Sequence, residues 1–404
     1  MNILYIAFSC SAYHGSEDKI GWNIPLESAK NNRVFVITRE SQRQYTETFL
    51  KQHPVKNLAF YYISLPNWLE RLLRPFLYTL RLNFWHRKAL PLAKEICIQE
   101  KIGVIHQITP IEFRSIGNYG AIPGAAFVCG PLGGGEYIPK GLESYAARHR
   151  HVEWLRRAAN LYSRASITLL RKFQTCDCVL FANRETQDYL RNAGIHGKSA
   201  VVTEVGIDEQ EFTGTKKDTA GTVTILVPGR LIYRKGHAFL LDALERLPEG
   251  LDYRCRIVGG GKELEALKHR CAASHIASRV VFTGQIPYEQ MEEEYQKADA
   301  VVMPSLRETG GAVIMEAMAK GLPVITIDRF GGGMLVDAET GWLYGGNTRE
   351  EYVENLASAI AQCVKNPAEA RRRGNAAAQK AKEYTWEKKL RLYQSYYDRL
   401  QDMK

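Results

Sequence analysis

Apolar and polar positions recur along this chain in one order. A short run of apolar, β-branched residues is followed by a glycine-bearing turn, and then by apolar positions at helical spacing. The runs at 2–8, 33–38, 103–107, 126–129, 178–182, 223–227, 254–258, 280–283, 299–303 and 323–327 predict strands. Several are almost continuously apolar, which fits strands covered on both faces in a parallel sheet. Their alternation with helical stretches predicts doubly wound α/β units. So many strands exceed what one compact sheet holds, and the polar run Thr213–Gly221 reads as a linker before the fresh strand Val223-Thr224-Ile225-Leu226-Val227. The expected division is two α/β domains at 1–205 and 206–385. The last segment, Trp386 to Leu400, is helical in pattern, with Leu390, Tyr393, Tyr397 and Leu400 at helical spacing. Ligands of open parallel sheets bind beyond the carboxyl ends of the strands, so two such domains facing a central cleft would each present one ligand. That inference concerns fold and leaves the chemistry open.

Composition adds bounds. The chain has 404 residues, 45% of them hydrophobic and 24% charged, the balance of a globular protein with ample core. A net charge of +10 favours anionic partners: phosphorylated ligands, anionic lipid or nucleic acid. No stretch reaches the roughly 18 uncharged apolar residues needed to span a bilayer, and the start, Met1-Asn2-Ile3-Leu4, has no basic leader. A cytoplasmic location is expected. The eight cysteines are scattered, and Cys176 and Cys178 match neither zinc nor redox spacing, so they read as reduced structural thiols. No Asp-x-Asp pair occurs, so a metal-bridged diphosphate is not indicated, and no cofactor is expected.

Three stretches carry candidate chemistry. After the strand at 223–227 come Gly229, Arg230 and Lys235, then a helix. The glycine permits a sharp turn, while an Arg fork and a Lys point charge suit a diphosphate. A solvated basic loop is the alternative. The strand at 254–258 ends in Gly259-Gly260-Gly261, which allows a ligand to approach the backbone and is equally explained by a tight turn. The segment Asp299 to Gly321 reads as strand, loop with Glu308 and Gly310, and a helix from Gly311 and Ala312 to the Gly321 stop. A helix start is a ready anion site. Glu308 just before it can accept from sugar hydroxyls. Glu316, inside the helix among apolar neighbours, can lean back toward the same ligand or pair with a nearby base.

Taken together these residues resemble the retaining glycosyltransferases of family 4, with GT-B fold. The resemblance rests on two glutamates separated by seven residues (Glu308 and Glu316), on Gly229-Arg230 to Lys235-Gly236, on the glycine turn, and on Ala298-Asp299 to Pro304-Ser305. In the first half, Gly15-Ser16-Glu17 with Gly21-Trp22 and the stretch Gly130 to Glu136 also look like this family, and the last helix, entered by Thr385-Trp386-Glu387, resembles the family's segment that crosses back to brace the first domain, which implies that 386–404 packs on it. The resemblance implies transfer of a sugar from a UDP- or GDP-sugar to a glycan or lipid-linked acceptor, with retention and without metal, in cell-envelope or exopolysaccharide synthesis. It implies a donor-binding second domain and an acceptor-binding first domain. Arg230 and Lys235 would bind the diphosphate, Glu308 the donor sugar and Glu316 the ribose. Gly229, Gly259, Gly260, Gly310, Gly311, Ala312 and Gly15 would lie near the donor. Glu308-Thr309-Gly310-Gly311 departs from the family's usual E-G-F-G. His106 would be an active-site residue or a structural histidine at a strand end.

The basic residues among Trp68, Leu69, Leu72, Leu73, Phe76, Leu77 and Leu80, and again over 140–172, suit an anionic membrane face or a solvated surface over a packed stripe. Rival readings are an epimerase or phosphorylase on the same fold and a nucleic-acid-binding protein. The last lacks any reading motif, so no nucleic-acid partner is expected.

Overall fold

The computed structural model describes residues 1–13, 15–66, 68–69, 78–212 and 221–402. The chain divides into two compact units. One comprises Met1–Gly135, Arg156–Gly206 and Trp386–Lys404, the other Glu136–Leu155 and Ile207–Thr385.

The first unit is built on a parallel sheet of seven strands: β1 (Asn2–Ala7), β2 (Arg33–Arg39), β3 (Leu58–Ile63), β4 (Val104–Thr109), β5 (Ala126–Leu132), β6 (Cys178–Phe181) and β7 (Lys198–Val201), in the order β3-β2-β1-β4-β5-β6-β7. Both faces are covered. Leu4 and Ile6 of β1 join a cluster with Trp85, Phe127 and Phe181, whereas Ile3 and Tyr5 join another with Val34, Tyr393 and Tyr397. Alternate residues of a strand point to opposite faces, which is why a continuous apolar run is needed here. The helix Trp386–Gln401 contributes Leu390, Tyr393, Tyr397 and Leu400 to the second cluster. Its Lys389 is also buried and donates to the Thr203 carbonyl. Burial pushes that ammonium down to about 8, opposed by the charge of Glu204.

The second unit carries six parallel strands: β8 (Val223–Pro228), β9 (Tyr253–Val258), β10 (Val280–Gly284), β11 (Ala300–Met303), β12 (Val324–Ile327) and β13 (Gly341–Tyr344), in the order β10-β9-β8-β11-β12-β13. In both sheets the chain winds outward from a central strand and then returns to its other side. The reversal lies between β1 and β4 in one unit and between β8 and β11 in the other, the position where open α/β sheets leave a crevice.

The segment 136–155 packs with the second unit although it lies far upstream of the β8 strand. Ile138, Leu142 and Ala146 share a core cluster with Phe239 and Leu356, and the Tyr145 hydroxyl donates to Asp242. No hydropathy change marks this excursion. Strands β3, β7 and β13 were likewise unannounced. Each is the edge of its sheet, where one side faces solvent and the apolar signal is weaker. The expected linker at 213–220, and Leu72, Leu73, Phe76 and Leu77 of the basic apolar stripe, lie outside the described residues. Among the described residues no helix is long and apolar enough to cross a membrane.

Candidate functional site

The candidate residues of the second unit meet at the carboxyl ends of β8, β9 and β11. Beyond Pro228 the chain turns at Gly229, φ 147°, whose N–H donates to the Val258 carbonyl at 2.9 Å. The turn after β9 is pressed against it. A Cβ on Gly259 would lie 1.9 Å from the Gly229 oxygen, and one on Gly261 would lie 2.2 Å from the Leu231 oxygen. Leu231 N–H in turn donates to Gly260 at 2.9 Å. Turn-on-turn packing therefore accounts for glycine at 259 and 261. Gly236, φ 73°, makes the same close approach to the turn after β11, where a Cβ would meet the Pro304 oxygen at 1.9 Å. The Leu306 N–H donates to the Arg234 carbonyl at 2.9 Å. Three loops are thus locked together through backbone.

That lock fixes the charged side chains. Lys235, at the end of the short 3-10 turn Tyr233–Lys235, forms an ion pair with Glu308. Arg234 stands 4.0 Å from the same carboxylate, and the Ser305 hydroxyl lies 3.4 Å away. The Glu308 side chain is 19% exposed. Burial would raise its carboxyl, but the charges of Lys235 and Arg234 and the Lys235 hydrogen bond prevail and hold it below the usual carboxylate range. Burial pushes the Arg234 guanidinium down, against the pull of Glu308; the neighbouring charges of Arg307 and Arg230 push the same way as burial. Arg230 itself is exposed. Arg307 is held by Glu153 at 3.1 Å, and Tyr233 donates to the same carboxylate at 2.7 Å. Behind Lys235, His237 is buried and pushed down to about 4 by desolvation, with Lys235 adding to the effect.

The helix Ala312–Ala319 starts beside this cluster. Gly311 is its N-cap in the left-handed region, φ 79° and ψ 64°, and no side chain caps it. The Ile314 N–H turns back to the Gly311 carbonyl at 2.9 Å, and the N–H groups that open a helix ahead of such a bond are the ones an anion or solvent can meet. Gly310 is buried under Gly331, whose Cβ would fall 2.0 Å from the Gly310 oxygen. Glu316 is partly buried and accepts a hydrogen bond from Tyr295 at 2.8 Å. The structure thus brings Gly229, Arg230, Lys235, Gly259, Gly260, Glu308, Gly310, Gly311 and Ala312 to one edge of one sheet. Sequence reasoning missed Arg234, Arg307 and Tyr295. The first two sit next to residues that were named, but no pattern distinguishes them from solvated arginines.

In the first unit, Gly15 is the exposed N-cap of the helix Ser16–Ser28. Close by, the Glu17 carboxylate accepts from the Ile111 N–H at 3.1 Å, and burial, together with the charges of Glu112 and Asp18, pushes it up to about 7. For His106 the sequence leaves an active-site and a structural role open. It is completely buried in β4, its Nε2 lies 2.7 Å from the Gly130 carbonyl and its Nδ1 2.6 Å from the Tyr397 hydroxyl. A carbonyl can only accept, so Nε2 carries the hydrogen and Nδ1 accepts from Tyr397. Desolvation drives the ring down to about 3. Neutral, walled in by Tyr5, Tyr393 and Tyr397, and with both nitrogens engaged, His106 joins β4 to the helix Trp386–Gln401, an arrangement that favours the structural alternative.

Among the described residues no group of three His, Cys, Asp or Glu side chains is arranged to hold a metal ion.

The comparisons with known proteins agree with this geometry. Residues 208–380 match the family model described as glycosyl transferases group 1. The chain is 32% identical over 234 residues to a D-inositol 3-phosphate glycosyltransferase of Corynebacterium diphtheriae, covering 53% of each protein. It is 30% identical over 244 residues to a GDP-mannose-dependent α-(1-6)-phosphatidylinositol monomannoside mannosyltransferase of Mycolicibacterium smegmatis, covering 55% of this chain and 61% of that protein. The matched regions thus span about half the length of these curated relatives. Among solved structures, sucrose-phosphate synthase of Thermosynechococcus elongatus superposes with a TM-score of 0.69 at 19% identity over 100% of both chains. Anabaena HepE, solved with UDP and glucose, gives 0.62 at 17% identity over 98% of this chain and 100% of that one. Two doubly wound parallel sheets, shared with these solved structures, give the chain the GT-B fold, and the match to glycosyl transferases group 1 lies on the half that carries the Lys235–Glu308 cluster.

Proposed function

We propose that the chain transfers a sugar from a nucleoside-diphosphate sugar to a glycan or lipid-linked acceptor, with retention of anomeric configuration and without a metal ion. One observation carries the reading: Arg234 and Lys235 gather around Glu308, with the charge of Arg230 acting on Arg234, at the uncapped start of the helix Ala312–Ala319. A pyrophosphate brings negative charge that such a set neutralises. In the transition state the leaving diphosphate gains charge, and preorganised donors of this kind are worth about 3 kcal/mol each. Glu308 is the carboxylate placed to accept from the donor sugar, and the Lys235 ammonium keeps it ionised for that task. Glu316, held by Tyr295, is assigned to the ribose hydroxyls. The first unit is assigned to the acceptor. A relative named for a phosphatidylinositol mannoside, another named for colanic acid biosynthesis and a neighbour solved with UDP support a role in envelope or exopolysaccharide synthesis, with UDP- and GDP-sugars as the donors to try first.

The test is isothermal titration with UDP-glucose and GDP-mannose in the presence of a chelator, followed by NMR of the product anomer. Binding of one donor with chelator present and a retained anomer support the proposal. Absence of affinity for any nucleotide sugar removes it, and an inverted anomer removes the retaining mechanism alone.

A further inference from the structure

The helix Arg150–Leu169 is amphipathic in the reverse of the usual sense. Its inward positions are Glu153, Asn160, Ser163 and Ile167, three of them polar. Glu153 accepts from Tyr233 and Arg307, and the Asn160 amide nitrogen donates to the Gly134 carbonyl at 2.9 Å. The opposite face carries the apolar residues. Trp154, Ala158, Leu161, Ala165 and Leu169 follow one another at three- and four-residue intervals along it, flanked by Leu155 and Tyr162. Trp154 is 66% exposed, Leu161 64%, Tyr162 76% and Leu169 83%. An outward stripe of this size is not what a helix leaves exposed when it only packs on its own core.

Charge identifies the occupant. Between Arg148 and Lys172 the chain has seven Arg and Lys residues against one acid, Glu153, which is turned inward and paired. Arg150 and Arg157 project beside the apolar stripe, both exposed. Indole and phenol rings amid aliphatic side chains, bordered by cations, match the boundary of an anionic bilayer, where rings settle at headgroup depth and arginines meet lipid phosphates. We propose that this face docks the protein on an anionic lipid surface, with the helix lying in the interface plane. The proposal does not depend on the catalytic reading, since none of these residues belongs to the Lys235–Glu308 cluster.

The test is flotation of the full chain with vesicles of phosphatidylcholine alone and of phosphatidylcholine mixed with phosphatidylglycerol. Two double variants are compared, Trp154→Ser with Leu161→Ser and Arg150→Glu with Arg157→Glu, with circular dichroism confirming the fold. The wild type should float with the mixed vesicles and remain behind with phosphatidylcholine alone. Each variant should lower the bound fraction at a fixed lipid concentration at least about tenfold, the charge variant losing its difference from wild type at high salt. Failure of the wild type to float, or variants that float equally well, overturns the proposal. So does a lipid-free dimer of the wild type that the Trp154→Ser, Leu161→Ser variant splits, since the face would then belong to a second copy of the chain.

Discussion

Replacing His106 by Gln separates a structural from a catalytic histidine. The Gln amide can place its N–H where Nε2 donates to Gly130, but it offers nothing in the position of Nδ1, so the Tyr397 hydroxyl loses its buried acceptor. Such a loss costs about 1–3 kcal/mol. The pH dependence gives a second number. An unfolded imidazole has a pKa of about 6.5, whereas in the native protein it is driven to about 3. The unfolded chain therefore takes up a proton that the native one refuses, and the stability present above the unfolded value is lost as pH falls from there toward the folded one. Between about pH 7.5 and about pH 5.5 the loss from one such group is about 1.4 kcal/mol. His86, also near 3, acts in the same direction, and Glu17, raised to about 7, acts in the opposite one. Comparing wild type with the variant cancels both. Urea unfolding at the two pH values, followed by circular dichroism and tryptophan fluorescence, should give a pH increment smaller by about 1.4 kcal/mol in the variant. Turnover should stay within about fivefold of wild type, because removal of a catalytic acid or base costs about a hundredfold or more. An undiminished pH increment, or a hundredfold fall in turnover with an intact fold, would refute the structural assignment.

Lys235→Ala and Glu316→Ala should each reduce donor turnover at least about a hundredfold while leaving circular dichroism unchanged; near-normal steady-state rates in either would place the donor elsewhere. Tyr295→Phe removes the hydroxyl that holds Glu316 and should raise the donor KM about threefold to tenfold with a smaller change in kcat, read from initial rates. Gly259→Ala forces a methyl group to within 1.9 Å of a backbone oxygen and should destabilise the second unit by about 2 kcal/mol or more, measured as a lower urea midpoint; an unchanged midpoint would mean that the turns after β8 and β9 are not in contact.

Much of the fold was legible because a doubly wound sheet needs strands that are apolar on both sides. Runs such as 2–8 and 223–227 have no other reading once helices alternate with them. The edge strands β3, β7 and β13 were missed where that requirement relaxes. Glu308, Lys235 and Gly311 could be named from sequence because a helix start after a glycine turn, with fixed charges beside it, has a recognisable linear spacing. Spacing alone left the three glycines at 259–261 undecided between ligand approach and tight turning. The neighbouring backbone oxygens of Gly229 and Leu231 decide for loop contact at two of them.

Other features had no linear trace. His106 at a strand end looks the same in sequence whether it faces solvent or core, and its partner Tyr397 lies nearly three hundred residues downstream. The attachment of 136–155 to the second unit, and the convergence of Arg234 and Arg307 on carboxylates far away in the chain, likewise arise from packing between distant segments. The sequence by itself determined the periodicities, and through them the two sheets. Which polar groups became buried, which carboxylate each cation met, and which face of the helix Arg150–Leu169 was left outward were decided only by the tertiary structure, because burial and charge pairing depend on neighbours that the linear order does not bring together.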